Sequence, residues 1–263
     1  MPGVFRAMNS VLHSVRRGDV VMEPFPHVVV DDALDPELYA RLAATFPPAD
    51  VIVDGREIAN NAAYHLRTAR LVDDARVDPT WKAFARAHTS AEFFREVVAI
   101  FGDAIRALHP DLESRLGCTL DDARTSVREA EPFADLALDC QPTYGSPVRQ
   151  PSRTHPVHID RPVALYAGLL YCRLPEDEGK GGDLELYRFR GGARRYDEHR
   201  YVDDALVDPV KRIPYAANRL VFFIHSPHSL HGVTVRSVTP WPRLHVNFLA
   251  EARTNIFELE TAA

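Results

Sequence analysis

Cysteine is scarce in this 263-residue chain, limited to Cys118, Cys140 and Cys172. An odd count with no CxxC spacing excludes a disulfide framework and a cysteine-rich zinc site, and fits a reducing, cytoplasmic setting. Long apolar runs are lacking too. None approaches the roughly 18 residues of a spanning helix, so no membrane partner is expected. There is no internal repeat, no low-complexity segment and no GxSxG nucleophile elbow, so a Ser/His/Asp hydrolase gains no support. Lysine is almost missing: Lys82, Lys180 and Lys211 stand against 28 arginines. With abundant Ala, Val and Asp, that skew suggests a GC-rich, bacterial coding sequence. The net charge of −6 argues against a broad nucleic-acid surface, though a local basic groove is compatible with it. What is present is ordinary globular composition, 46% hydrophobic and 26% charged. The length suits one large domain over residues 1–263.

Residues 1–135 read as a mixed strand and helical support region. Met1 to Arg17 carries Arg6, Arg16 and Arg17 but no acid. It superficially resembles a transit peptide, lacks the apolar core of a secretory signal, and is expected to be a short amphipathic helix or frayed start. Phe25–Val30 is a β-branched strand. Asp35 and Pro36 open a helix as N-cap and first helical residue, with Leu38, Leu42 and Phe46 on its buried face. A second helix is expected from Thr89, paired with Glu92 in a capping box. Its apolar stripe runs from Phe93 to Leu108, and Pro110 ends it.

From about Leu136 the texture changes to short apolar runs punctuated by Gly, Pro and Asn. Candidate strands are Leu136–Tyr144, Val163–Cys172, Leu184–Phe189, Leu220–Ile224, Val233–Val235 and Leu244–Leu249. That pattern predicts a sandwich, jelly roll or barrel over residues 136–250. A polar, Arg- and Tyr-rich insertion at 190–214 reads as a lid-like loop, with Arg194, Arg195, Arg200, Tyr196 and Tyr201 available to grip an anionic or carrier-borne substrate. A solvated charged loop explains it equally well.

His158-Ile159-Asp160 carries the first chemical signal. On a strand, positions i and i+2 share a face, so an imidazole and a carboxylate would converge. This is two-thirds of the two-His-one-carboxylate triad of non-haem Fe(II) oxygenases, whose nitrogen and oxygen donors leave three coordination positions open. The pattern alone is weak, and His109-Pro110-Asp111 repeats it at a helix end, where it reads as surface structure. A third ligand would come from later in the chain, where His225, His228 and His231 are available. The alternating strand Arg243-Leu244-His245-Val246-Asn247-Phe248-Leu249 follows. Its arginine offers a planar fork for a carboxylate, which favours His231 as the partner histidine.

In these pieces the chain resembles the Fe(II)/2-oxoglutarate-dependent oxygenases, particularly the prolyl-4-hydroxylase-like branch. His158-Ile159-Asp160 looks like their HxD. Leu169-Leu170-Tyr171-Cys172-Arg173 resembles the strand ending in Tyr-Leu-Asn. Gly181-Gly182-Asp183-Leu184-Glu185-Leu186-Tyr187 resembles the Gly-Gly-Glu-Leu turn and strand. Asn218–Phe223 resembles the strand before the distal histidine, His231-Gly232-Val233 resembles that histidine, and Arg243 resembles the 2-oxoglutarate arginine. The match covers the C-terminal half well and the first fifty residues loosely.

The resemblance implies an α+β, mainly β fold: a double-stranded β-helix (jelly roll, cupin-like) with N-terminal helices packed on one side. It implies Fe(II) held by His158, Asp160 and His231. It also implies 2-oxoglutarate held by Arg243 with help from the Tyr171 hydroxyl, and O2 as the second co-substrate. There are departures. Where some relatives have a serine two residues after the arginine, His245 stands here as a candidate co-substrate contact. Tyr171 is followed by Cys-Arg rather than Leu-Asn. Asp160 is present where halogenating relatives lack a carboxylate, which implies hydroxylation or a similar oxidation. The expected substrate is a small molecule, a peptide or a carrier-bound group, with no nucleic acid. The competing readings are a cupin-type binding module and a cupin-type metal enzyme that does not use 2-oxoglutarate.

Overall fold

Aspartate followed by proline starts two of the helices. In each the carboxylate accepts from backbone N–H groups of the first turn while proline gives up a donor the helix cannot use. Asp35 accepts from the Glu37 and Leu38 amides ahead of α1, and Asp78 accepts from the Thr80 amide in the same way. The structure, a computed structural model, describes residues 8–129, 132–191 and 196–259. In chain order the elements are β1 (His27–Val30), α1 (Pro36–Ala44), α2 (Ala49–Val53), β2 (Ala63–His65), α3 (Thr68–Asp73), α4 (Pro79–His88), α5 (Ala91–Leu108) and α6 (Leu112–Leu116). Then follow β3 (Thr125–Val127), β4 (Leu136–Gly145), β5 (Ala164–Tyr171), β6 (Leu184–Phe189), β7 (Val207–Ile213), β8 (Leu220–Ile224), β9 (His231–Val233) and β10 (Arg243–Ala252).

The strands form two sheets. The larger has the order β1-β8-β5-β10-β4-β2, with β3 paired to β4, and the smaller has the order β7-β6-β9. Strand alternation divides the large sheet into two chemically different faces. On β10, Leu244, Val246, Phe248, Ala250 and Ala252 join the core shared with the helices. Phe248 there meets Phe84 of α4 and Phe93 of α5. Gly168 on β5 permits this packing, because a Cβ would lie 2.5 Å from the Phe222 ring and 3.1 Å from that of Phe248. The opposite face packs against the small sheet through a second core containing Ala167, Tyr171, Val221 and Phe223 from one side and Leu184, Leu186 and Ile213 from the other. The polar positions of β10, beginning with Arg243, His245 and Asn247, open into the space between the sheets.

Several sequence expectations change in detail. The long helix opens at Ser90, whose hydroxyl accepts from Phe93 N. Thr89 is not its cap, because its own hydroxyl donates to Ala85 O at the end of α4. Residues 1–7 lie outside the described residues, and the rest of the expected N-terminal helix is a turn followed by a short 3-10 segment at Arg17–Asp19. The first strand is His27–Val30, shorter than Phe25–Val30, and the third-ligand strand is His231–Val233 rather than Val233–Val235. The insertion at 190–214 is not all loop. Val207–Ile213 pairs with β6 along its length, and its polar composition reflects an edge strand with one exposed face. Arg194 and Arg195 lie outside the described residues. His109 is buried rather than on the surface, and its Nε2 lies 2.7 Å from the carbonyl of His225.

Candidate metal centre

His158 and Asp160 are not on a regular strand. His158 instead forms an isolated antiparallel bridge with His231, each amide donating to the other's carbonyl at 2.9 and 3.0 Å. This brings the two rings to 4.4 Å between centroids. His158, Asp160 and His231 each offer an atom within 4.8 Å of the other two. His225 is not in that group, but its Nε2 lies 3.1 Å from Asp160 Oδ2 at ion-pair distance without hydrogen-bond alignment.

The protonation states follow from the neighbours. His158 Nδ1 faces the Pro156 carbonyl at 2.8 Å and His231 Nδ1 faces the Ser229 carbonyl at 2.9 Å. A carbonyl can only accept, so both Nδ1 atoms carry the proton and both Nε2 atoms present lone pairs. Burial pushes the His158 pKa down to about 4, and His231 is lowered mainly by burial as well. Burial would raise Asp160, but the pull that the His225, His231 and His158 rings exert when they are protonated outweighs it and holds the carboxyl well below its ordinary value, so Asp160 stays ionised. Each Nε2 stands 3.8 Å from an Asp160 oxygen, too far for a hydrogen bond. Three acceptors thus converge with no proton between them. A divalent cation satisfies that arrangement, and the donor set suits Fe(II).

Beside it lies a cavity of about 200 Å³ between the sheets, reached by Arg243 and His245 as well as by His155, His158 and His231. Arg243 is 6% exposed. Its Nε donates to the Gly182 carbonyl at 3.0 Å, its Nη1 lies 3.3 Å from His245 Nδ1, and its Nη2 is buried without a hydrogen-bond partner. The guanidinium carbon sits 5.0 Å from the ring centres of both Tyr171 and Tyr215. Gly182 can present its carbonyl because the Gly181-Gly182 pair runs at φ +80° and +79°, and a Cβ on Gly181 would strike the Val235 carbonyl at 1.9 Å. Tyr171 Oη is also buried without a partner. Among the described residues no carboxylate pairs with Arg243, so a guanidinium and a hydroxyl are left for an anion that enters the cavity. The residues fit a carboxylate-bearing co-substrate. His245 is kept neutral by burial and by Arg243, so its Nδ1 accepts from the guanidinium.

Sequence reasoning missed Tyr215, His155, His65 and Asn247. The last was legible, since it stands four residues after Arg243 on the same face. His155 lies three residues before His158 with its ring centre 5.4 Å away. Tyr215 had no sequence signal. It closes the cradle because its hydroxyl is bonded to both backbone groups of Leu244.

No protein-family model matches the chain, and no curated protein matches it by sequence. Solved structures do. A prolyl 4-hydroxylase from Phytophthora capsici superposes with a TM-score of 0.53 at 16% identity, over 96% of this chain and 69% of that one. A Pseudomonas putida prolyl-4-hydroxylase gives 0.44 at 14% identity, over 87% and 93%. The non-haem α-ketoglutarate-dependent epimerase SnoN of nogalamycin biosynthesis gives 0.46 at 14% identity, over 87% and 77%. At these identities the likeness is one of fold, and it rests on the first. The chain has the jelly-roll fold of the 2-oxoglutarate/Fe(II) oxygenases. Within that class its architecture is of the prolyl-4-hydroxylase kind. Among the described residues no helix is long and apolar enough to cross a membrane.

Proposed function

We propose that the protein is a cytoplasmic Fe(II)- and 2-oxoglutarate-dependent oxygenase. It hydroxylates an amino-acid, peptide or natural-product-type substrate with consumption of O2 and release of succinate and CO2. One observation carries the reading: a proton-free cluster of two Nε2 atoms and a carboxylate stands beside a buried guanidinium with an unused Nη2.

His158, His231 and Asp160 hold the metal, and the Pro156 and Ser229 carbonyls keep both rings in the ligating tautomer. Iron supplies the activation of dioxygen, coupled to oxidative decarboxylation of 2-oxoglutarate. Arg243, through its unused Nη2, and the Tyr171 hydroxyl would hold a carboxylate of 2-oxoglutarate, while His245 and the Gly182 carbonyl keep the guanidinium from turning. Leu169, Leu184, Phe223 and Val233 line the same cavity and exclude water from it.

The test is an anaerobic titration with Fe(II), then 2-oxoglutarate, read by the visible charge-transfer band of a chelated keto-acid. Native protein gives the band, and Arg243→Ala gives it only at much higher 2-oxoglutarate. Iron binding without a band in the native protein would overturn the co-substrate assignment and return the chain to the cupin-type readings.

A further inference from the structure

Asp160 faces a second cavity, of about 300 Å³, whose wall carries Arg56, Arg67, Arg128, Arg161 and Arg200. Such concentration is unexpected in a chain of net charge −6. Among the described residues, the only carboxylates in the wall are Asp160, committed to the metal cluster, and Glu251. Glu251 is shared by Arg128, at 2.9 Å, and Arg161. Arg67 pairs with Glu129 outside the wall. Arg56 is oriented by the Val53 and Ile52 carbonyls and the Tyr64 ring. Neither Arg56 nor Arg200 has a carboxylate partner among the described residues. The positive field is felt nearby: burial first, and then His155, Arg56 and Arg67, press the pKa of His65 down to about 4.

Arg200 is placed at a cost. It sits at φ 67°, in the left-handed region that a long side chain rarely adopts. The turn that holds it is tied by Asp197, whose carboxylate accepts from the His199 and Tyr201 amides, each at 2.8 Å. The Arg200 carbonyl accepts from Ile159 N, between the two metal-cluster residues. Its Nε is buried with no hydrogen-bond partner. A strained arginine with an unspent buried donor marks a wall built to receive an acceptor.

We infer that this cavity is the seat of the primary substrate, and that the substrate is a small molecule bearing a dianionic group, phosphoryl or dicarboxylate. The inference rests on the oxygenase reading only for which side of Asp160 the substrate takes, since the cavity beyond Arg243 belongs to the co-substrate. Two unpaired guanidiniums and an excess of arginine over carboxylate match a dianion better than a monoanion. Planar forks suit oxyanions of either source. Ala164, Ala167, Tyr166 and Leu249 leave room in the same wall for an apolar body.

Phenyl phosphate, phenylmalonate and neutral benzyl alcohol are titrated by calorimetry into the protein alone, and again anaerobically with Fe(II) and saturating 2-oxoglutarate. Native protein binds at least one dianion, weakening with salt, and does not bind the alcohol. Whichever dianion binds tighter names the source. Arg200→Gln and Arg56→Gln each weaken it by about tenfold or more, the scale of one charge-assisted hydrogen bond. Arg243→Ala and the exposed Arg95→Gln leave it unchanged. Native far-ultraviolet circular dichroism certifies each variant, and the two wall variants stand in for one another if one fails to fold. The inference is overturned if neither dianion binds, if the alcohol binds as well, if Arg95→Gln loses as much, or if Arg243→Ala loses binding while Arg200→Gln keeps it. Binding without any charge-transfer band would sink the oxygenase reading and leave the anion site standing. A band without dianion binding would do the reverse.

Discussion

His88, the last residue of α4, and His158, between the sheets, both have their pKa pushed down to about 4, chiefly by burial, and are neutral well above it. The difference is in what each ring does with its second nitrogen. His88 donates from Nδ1 to the Phe84 carbonyl and accepts at Nε2 from Val11 N at 3.0 Å, so it is fully spent within the protein. His158 spends Nδ1 on the Pro156 carbonyl and leaves Nε2 facing Asp160 across 3.8 Å. The first ring holds two segments together, and the second keeps a lone pair in reserve. A neutral, buried histidine is therefore no sign of a site by itself. The sign is an unspent nitrogen aimed at other unspent acceptors.

The same division runs through β10, and variants on its two faces separate stability from chemistry. Phe248→Ala, on the helix face, should have the largest effect, lowering the unfolding free energy by about 3–5 kcal/mol in denaturant titration. The folded fraction should still bind Fe(II) normally, and lost metal affinity there would break the comparison. His158→Ala should do the opposite. Metal affinity should drop more than about 100-fold, the outer range for residues that merely support a ligand, with little change in denaturation midpoint. Arg243→Ala should raise the 2-oxoglutarate requirement by roughly 30-fold while leaving iron affinity alone. If iron affinity falls equally, the arginine is supporting the metal rather than the co-substrate.

The smallest effect concerns acid. His88 has its pKa lowered from 6.5 to about 4 on folding. The unfolded chain therefore takes up a proton that the native state refuses, so stability is complete above pH 6.5 and falls as pH drops toward 4. His88→Gln should make that decline shallower in denaturant titrations at stepped pH. An unchanged slope would mean that the buried ring is protonated without penalty.

Much of the β architecture was legible because alternation and turn residues report it directly. The strands Leu184–Phe189 and Leu220–Ile224 were read to the residue. The convergence of His158, Asp160 and His231 was legible in residue type, though the expected strand geometry was not what achieves it. A bridge between two segments distant in sequence does, and nothing local in sequence encodes such a bridge. α4 was overlooked although Asp78-Pro79 repeats the signature read at Asp35-Pro36. The arginine wall was invisible for a different reason: Arg56, Arg67, Arg128, Arg161 and Arg200 are spread over most of the chain and meet only in the folded protein.

The two-sided character of β10 also bears on how this protein can evolve. Its neighbours β4 and β5 pair with it from either side, so it has no free edge along which to slip. Deleting one residue between Arg243 and Phe248 would put both on one face, turning either the aromatic toward the ligands or the charge toward the helices. Descendants of this sequence can trade side chains along that strand freely by comparison, but insertions and deletions there are closed to them. Length between these two positions should therefore outlast identity as the chain diverges.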